Sequence, residues 1–219
     1  HAHTDREGDP HSPLDGVWHA HNGWYLGRKH WAPCLAYALA GPLRTLLDGW
    51  MRPRTNQESV HLAPDVAADP YYRFVSRPDV YLAFALAHMG GFYGAAFWLG
   101  GWAGGAWLYG TQVLVYNLGD AIDSAAHLVG DRPYRGDHLA TNHWLTALLT
   151  FGEGWHATHH TFPRSPRTDL LRGQVDIVWW QLRALSWLGL ATAIQQPPTP
   201  DMVRTRLTEP DAHVLASSR

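Results

Sequence analysis

Three histidines, His156, His159 and His160, stand at i, i+3 and i+4 in the stretch Gly152-Glu153-Gly154-Trp155-His156-Ala157-Thr158-His159-His160. On a helix that spacing stacks three imidazoles on one face. Neutral imidazole is a ligand for Fe, Zn, Cu and Ni, so the face is half of a transition-metal shell. The chain holds 15 histidines, several beside carboxylates, which favours a metal over a merely polar helix face. Asp120, Asp123 and His127 fall at i, i+3 and i+7, and are expected to share a helix face that brings two carboxylates and an imidazole toward the same place. The opening residues add His3, His11, His19 and His21 next to Asp5, Glu7 and Asp9. Singly, each of these histidines is better explained as a capping or hydrogen-bonding group. Together they suggest groups that support metal ligands.

The elements that must position these groups follow from the apolar pattern. Residues 80–119 contain no Asp, Glu, Lys or Arg and are bounded by Asp79 and Asp120. That length fits two bilayer-spanning helices of about 20 residues each. The turn Gly100-Gly101-Trp102-Ala103-Gly104-Gly105 would join them, with Trp98, Trp102 and Trp107 at the membrane interface. The rival reading is a buried hairpin of a soluble protein. A transmembrane hairpin returns to its starting side, so Arg73, Arg77 and everything after Asp120 share one face. The positive-inside rule makes that face cytosolic. His88 lies mid-span, either as a functional group or hydrogen-bonded to a neighbouring helix.

Residues 31–51 are apolar but interrupted by Gly41-Pro42, Arg44 and Asp48, too short to span and suited to an in-plane or core helix pair. A short helix is expected around Asp65–Phe74, another opening at Asn142-His143-Trp144, and an amphipathic one over residues 175–194. Pro197, Pro198 and Pro200 open a tail, residues 197–219, expected to be disordered. The fold class is therefore all-α: an integral membrane protein with a transmembrane helix hairpin at about 80–119 and a cytosolic, histidine-rich helical metal domain.

Composition narrows the function. A net charge of −2 gives no electrostatic case for nucleic acid. Cys34 is the only cysteine, which excludes an internal disulfide and a thiolate cage. The mean hydropathy of −0.26 looks soluble only because the apolar residues are concentrated. Lys29 is the only lysine, a bias toward arginine that hints at a GC-rich genome. The chain begins at His1, and no secretory signal is visible in its first residues.

These residues resemble the membrane fatty acid desaturases, most closely the acyl-CoA Δ9 branch typified by stearoyl-CoA desaturase. That family carries the boxes H-x-x-x-x-H, H-x-x-H-H and a final H-x-x-H-H. His156-Ala157-Thr158-His159-His160, with Gly152-Glu153-Gly154-Trp155 before it and Thr161-Phe162-Pro163 after it, is similar to the last box. Asp123-Ser124-Ala125-Ala126-His127, followed by Gly130-Asp131-Arg132-Pro133-Tyr134, is similar to the family's additional metal-binding segment. His1 to Asp9-Pro10-His11-Ser12 resembles the tail of the second box. The likeness spans residues 1–196 and implies a chain truncated at its N-terminus, without the first box and the first helix hairpin.

The resemblance implies two iron ions (Fe2+/Fe3+), with His1, His127, His156, His159 and His160 as ligands. Five ligands are too few for two irons, so this stretch alone is expected to be inactive. Asp123 stands where the family usually has an asparagine that holds a water on the metal; an aspartate could do the same or ligate directly. Arg28-Lys29 is similar to a pair that contacts CoA phosphates, although juxtamembrane cations also meet anionic lipid.

The implied activity is O2-dependent desaturation of a fatty acyl chain, of acyl-CoA in the first instance, giving a cis double bond. Electrons would come from an external carrier of the ferredoxin, rubredoxin or cytochrome b5 type, since no haem-attachment cysteine pair or flavin fingerprint is present. The expected location is the bacterial inner (cytoplasmic) membrane, with the lipid bilayer as partner and the metal site facing the cytosol. A hydroxylase or alkane monooxygenase of the same superfamily is the nearest alternative. An intramembrane zinc hydrolase would want H-E-x-x-H, and Ala157-Thr158 supply no glutamate. An inactive, truncated membrane protein that only binds metal is the non-enzyme alternative.

Overall fold

The computed structural model describes residues 4–6, 9–45, 47 and 64–208. Among these the protein is helical, with no β-strand and only isolated bridges such as Asp131 with Asn142 and Asn142 with Trp155. It divides into two compact units, one of His1–His21 with Leu118–Arg219, the other of Asn22–Asn117.

In the unit Asn22–Asn117, the short helix α1 (Trp24–Leu26) precedes α2 (Trp31–Leu39), whose first turn is capped by the His30 ring accepting from the Ala32 N–H. The last carbonyls of a helix lack partners within it. Here side chains serve them: Arg44 Nε donates to the Tyr37 carbonyl at 3.0 Å, Asn117 Nδ2 to that of Ala38 at 2.9 Å, and the Tyr109 hydroxyl to that of Leu39 at 2.6 Å. The expected helix around residue 70 is two, α3 (Pro64–Ala68) and α4 (Pro70–Val75). Pro70 has no N–H to continue α3, and Asp69 caps the new start by accepting from the Tyr71 N–H.

Helix α5 (Pro78–Asp123) carries the whole uncharged run. It is broken at Gly101, whose φ of 56° and ψ of −145° lie in a region open essentially to glycine alone. The Tyr93 hydroxyl donates to Gln112 Oε1 at 2.8 Å. Along one straight helix those residues would stand about 28 Å apart. Beyond the break, a Cβ on Gly104 would land on the Ala96 carbonyl, and one on Gly105 would sit 2.5 Å from the Phe97 ring. The expected six-residue turn is thus a single-residue break with tight glycine contacts behind it. By length and composition α5 can cross a membrane, and its most apolar window is nowhere buried within the protein.

In the histidine-bearing unit, α5 ends at Asp123 and a separate 3-10 turn, Ala125–His127, follows. This corrects the expectation that Asp120, Asp123 and His127 share one helix face, because Ser124 leaves the helical path at φ −110° and ψ −73°. Next come α6 (Trp144–Leu149), α7 (His156–Thr161), α8 (Ile177–Trp187) and α9 (Pro200–Arg206). Asp176 caps α8 by accepting from the Trp179 N–H at 2.8 Å. Helix α9 lies within the stretch expected to be disordered: Thr199 caps it, Pro200 opens it, and Val203 and Leu207 are buried. Those two join Tyr134, Ala157 and Leu170 in the hydrophobic core, directly beneath α7. Residues 209–219 of that expected tail fall outside the described residues.

Candidate metal centre

Helix α7 has six residues and no side-chain cap of its own. Its first turn is held from elsewhere. The Thr158 N–H donates to Asn142 Oδ1 at 3.3 Å, and Asn142 Nδ2 donates to Thr158 Oγ1 at 3.2 Å, both groups buried. Thr141 does more. Its N–H donates to the Ala126 carbonyl at 2.7 Å, and its carbonyl accepts from the Ala157 N–H at 3.0 Å. One buried residue therefore ties the neighbour of His127 to the neighbour of His156. Gly154 lets this happen, because a Cβ there would collide with the backbone of Ala147.

The result is convergence. Ring nitrogens of His127, His156 and His160 all lie within 4.8 Å of one another. His156 Nε2 is 3.0 Å from His127 Nε2 and 3.0 Å from His160 Nε2. His127 Nδ1 faces the Asp5 carboxylate at 3.0 Å. An ionised carboxylate only accepts, so this pairing favours the His127 tautomer with the proton on Nδ1 and a lone pair on Nε2. One proton on His156 Nε2 can then serve one of its two short contacts and not both. A cation shared by the three lone pairs serves all of them.

Electrostatics favour the same state. Burial, and then repulsion from the neighbouring rings, pushes the His156 imidazole down to about 2 and that of His160 down to about 3. Both rings are neutral at pH 7, as metal ligands must be. Burial also lowers His159 and His138. The donor set therefore fits a transition metal such as iron.

Of the residues expected to form the site, three meet. His159 lies on α7 with its ring stacked on His156, centroids 5.7 Å apart, outside the close group. His1 falls outside the described residues. Asp123 closes α5; burial raises its carboxyl above the usual range, and His11 and His127 pull it partly back. Arg28 and Lys29 are exposed and belong to the unit Asn22–Asn117. His21 Nδ1 pairs with Ser124 Oγ at 3.0 Å, beside the turn that carries His127. Two residues were not assigned a role from the sequence. Asp5 touches His127 across 122 positions. His138 packs on His160 with centroids 5.4 Å apart. The sequence shows Asp5 only as one of the carboxylates beside the N-terminal histidines, and no local pattern marks His138.

Fold and site together define a helical protein that carries a histidine cluster fit for a metal and a long, uncharged helix. The family model for fatty acid desaturases matches residues 1–197, and the chain belongs to that family. It is 32% identical over 199 residues to an acyl-CoA C20 Δ5-desaturase of Anemone leveillei, covering 90% of this chain and 54% of that one. It is 31% identical over 196 residues to an sn-1 stearoyl-lipid 9-desaturase of Anabaena variabilis, covering 89% and 61%. A chloroplastic palmitoyl-monogalactosyldiacylglycerol delta-7 desaturase of Arabidopsis thaliana is 30% identical over 209 residues, covering 95% and 49%. The chain spans between about half and three-fifths of the length of these curated relatives.

Proposed function

We propose that this chain supplies part of the iron centre of an O2-dependent fatty acyl desaturase. The observation that carries the reading is the convergence of Nε2 of His127, His156 and His160. The reaction removes two hydrogens from adjacent acyl carbons, leaving a cis double bond. One O2, those two hydrogens, two electrons and two protons become two waters. The electrons come from a separate carrier of the ferredoxin, rubredoxin or cytochrome b5 type. When bound, iron supplies the oxidising power that an unactivated C–H bond requires and that no side chain offers.

His127, His156 and His160 would hold one iron. His159 and His1 would complete a two-iron set with histidines beyond this chain. Asp123 would orient a water at the centre or ligate directly. The neutral state of His156 and His160 keeps their lone pairs free of protons. The two arms of α5 on either side of Gly101 would form the transmembrane hairpin. By the positive-inside rule, Arg73 and Arg77, just ahead of it, would put the histidines on the cytosolic side of an inner membrane.

The acyl head group has two readings. Exposed Arg28-Lys29 suits the phosphates of acyl-CoA. The cyanobacterial and chloroplast relatives are named for lipid-linked chains, which favours an acyl-lipid. The test is protein purified in detergent from its full coding sequence, analysed for iron and assayed with each acyl form by mass spectrometry. An O2- and iron-dependent olefin is expected. A hydroxylated product would favour the hydroxylase alternative, and turnover without iron and O2 would overturn the reading.

A further inference from the structure

Asp5 is a buried carboxylate to which the reading above gives no task. Its side chain is 0% exposed, and its two oxygens lie 3.0 and 3.2 Å from His127 Nδ1. Its backbone is left-handed at φ 58°, uncommon outside glycine. A buried charge and a disfavoured backbone at one residue persist only where the surroundings enforce them. They do so here. The Asp5 N–H donates to Asp9 Oδ2 at 2.7 Å, and Asp5 Oδ2 also accepts from the Leu139 N–H at 2.5 Å. The carboxylate thus stands on the far side of the His127 ring from the three converging nitrogens. His156 is the contrast: among the described residues its buried Nδ1 has no hydrogen-bond partner, and no carboxylate backs its ring as Asp5 backs that of His127.

We propose that Asp5 is the positioning residue of the metal centre. It fixes the His127 proton on Nδ1, aims the Nε2 lone pair at a divalent first-row transition ion, and strengthens that nitrogen as a donor. This deepens the iron reading and rests on it. His127 becomes the oriented anchor, and His156 and His160 close around the ion it holds.

The test combines two measurements on the detergent-solubilised protein. In the metal-free state, 15N-histidine NMR reports the tautomer of His127. Titration with Co2+ then reports affinity and ligand field. The parent is expected to carry the His127 proton on Nδ1. Asp5→Asn places an amide N–H2 against the ring, moves that proton toward Nε2, and weakens Co2+ binding by about 10- to 100-fold with a changed visible spectrum. Asp5→Glu recovers part of the affinity, which a purely structural role would not produce. A parent with the proton on Nε2, or an Asp5→Asn variant with unaltered tautomer and affinity, overturns the proposal. A parent that binds neither Co2+ nor Fe2+ overturns the iron reading instead, and the NMR tautomer still decides the Asp5–His127 assignment.

Discussion

The two units differ in how much polar surface they bury. The histidine-bearing unit hides polar groups: His127 is 1% exposed and Thr158 0%, and Thr141, Asn142 and Asp176 are also buried. Each of these five has a hydrogen-bond partner. Among its described residues the unit Asn22–Asn117 buries few polar side chains, Asn22 and Arg44 among them, and its long helix presents Trp98 at 84%, Trp102 at 85% and Trp107 at 80% exposure. In water such a surface would drive association. Its backbone accounting fits another solvent, since the end of α2 takes its partners from Arg44, Tyr109 and Asn117 within the protein, as hydrocarbon demands. The difference teaches that burial has to be judged against the solvent each surface meets. One unit shields lone pairs from protons, and the other exposes a long apolar surface that by length and composition could meet lipid.

The largest effect expected is at the polar centre. His156→Ala removes the nitrogen common to both 3.0 Å contacts. Iron content should fall to background and olefin formation with it, while the protein stays in the membrane fraction. Retained iron and activity would remove His156 from the site. The same substitution should leave the membrane behaviour of α5 untouched, which separates the two units experimentally.

Next in size is a charge on the apolar surface. Leu114 is 54% exposed, and on a soluble protein Leu114→Arg would change stability by no more than about 0.5 kcal/mol. In a bilayer, arginine near a helix centre costs about 2.5–3.5 kcal/mol. The insertion equilibrium, read by a glycosylation-reporter assay, should shift by about 60- to 300-fold. Unchanged insertion would make α5 a helix that meets water.

Acid sharpens the comparison further. His156 and His160 have folded values of about 2 and about 3, below an unfolded value near 6.5. The unfolded chain therefore binds protons that the folded site refuses. Stability from this source is complete above about pH 6.5 and is lost as pH falls from there toward about 3. The limiting slope is about 1.4 kcal/mol per pH unit for one fully buried histidine. The melting temperature of metal-free protein should be flat above pH 7 and decline below 6, and His156→Gln should flatten the decline. An acid-independent melt would mean that the rings are not sequestered.

How much of this was legible in the sequence depended on the range of each signal. The His156–His160 pairing was, because i, i+4 is a property of one helical turn. The uncharged run was, because length alone sets bilayer candidacy. The geometry behind His127 was not: periodicity carried α5 one turn too far, and the 3-10 turn depends on Thr141 capturing the carbonyls of Ala126 and Val129. Asp5 was invisible because its contact spans 122 positions and needs a backbone that propensity disfavours. Helix α9 was hidden by prolines read as breakers. Thr199 followed by Pro200 is equally a helix start, and Val203 with Leu207 supplies an i, i+4 apolar pair.

The smallest expected effect tests the unit Asn22–Asn117 for a polar task of its own. Arg28 and Lys29 are exposed just after the left-handed Gly27 that ends α1. If they meet phosphates of acyl-CoA, the double change Arg28→Ala with Lys29→Ala should raise the apparent KM for acyl-CoA by several-fold, about 1 kcal/mol, with kcat held, because contacts to a remote group bind ground and transition states alike. Added salt should weaken binding by the parent and narrow the gap, since exposed charges are screened. If they meet only anionic lipid, KM should stay put, and binding to vesicles containing phosphatidylglycerol should fall instead. The second result would assign the pair to the membrane surface and shift the substrate reading toward lipid-linked chains.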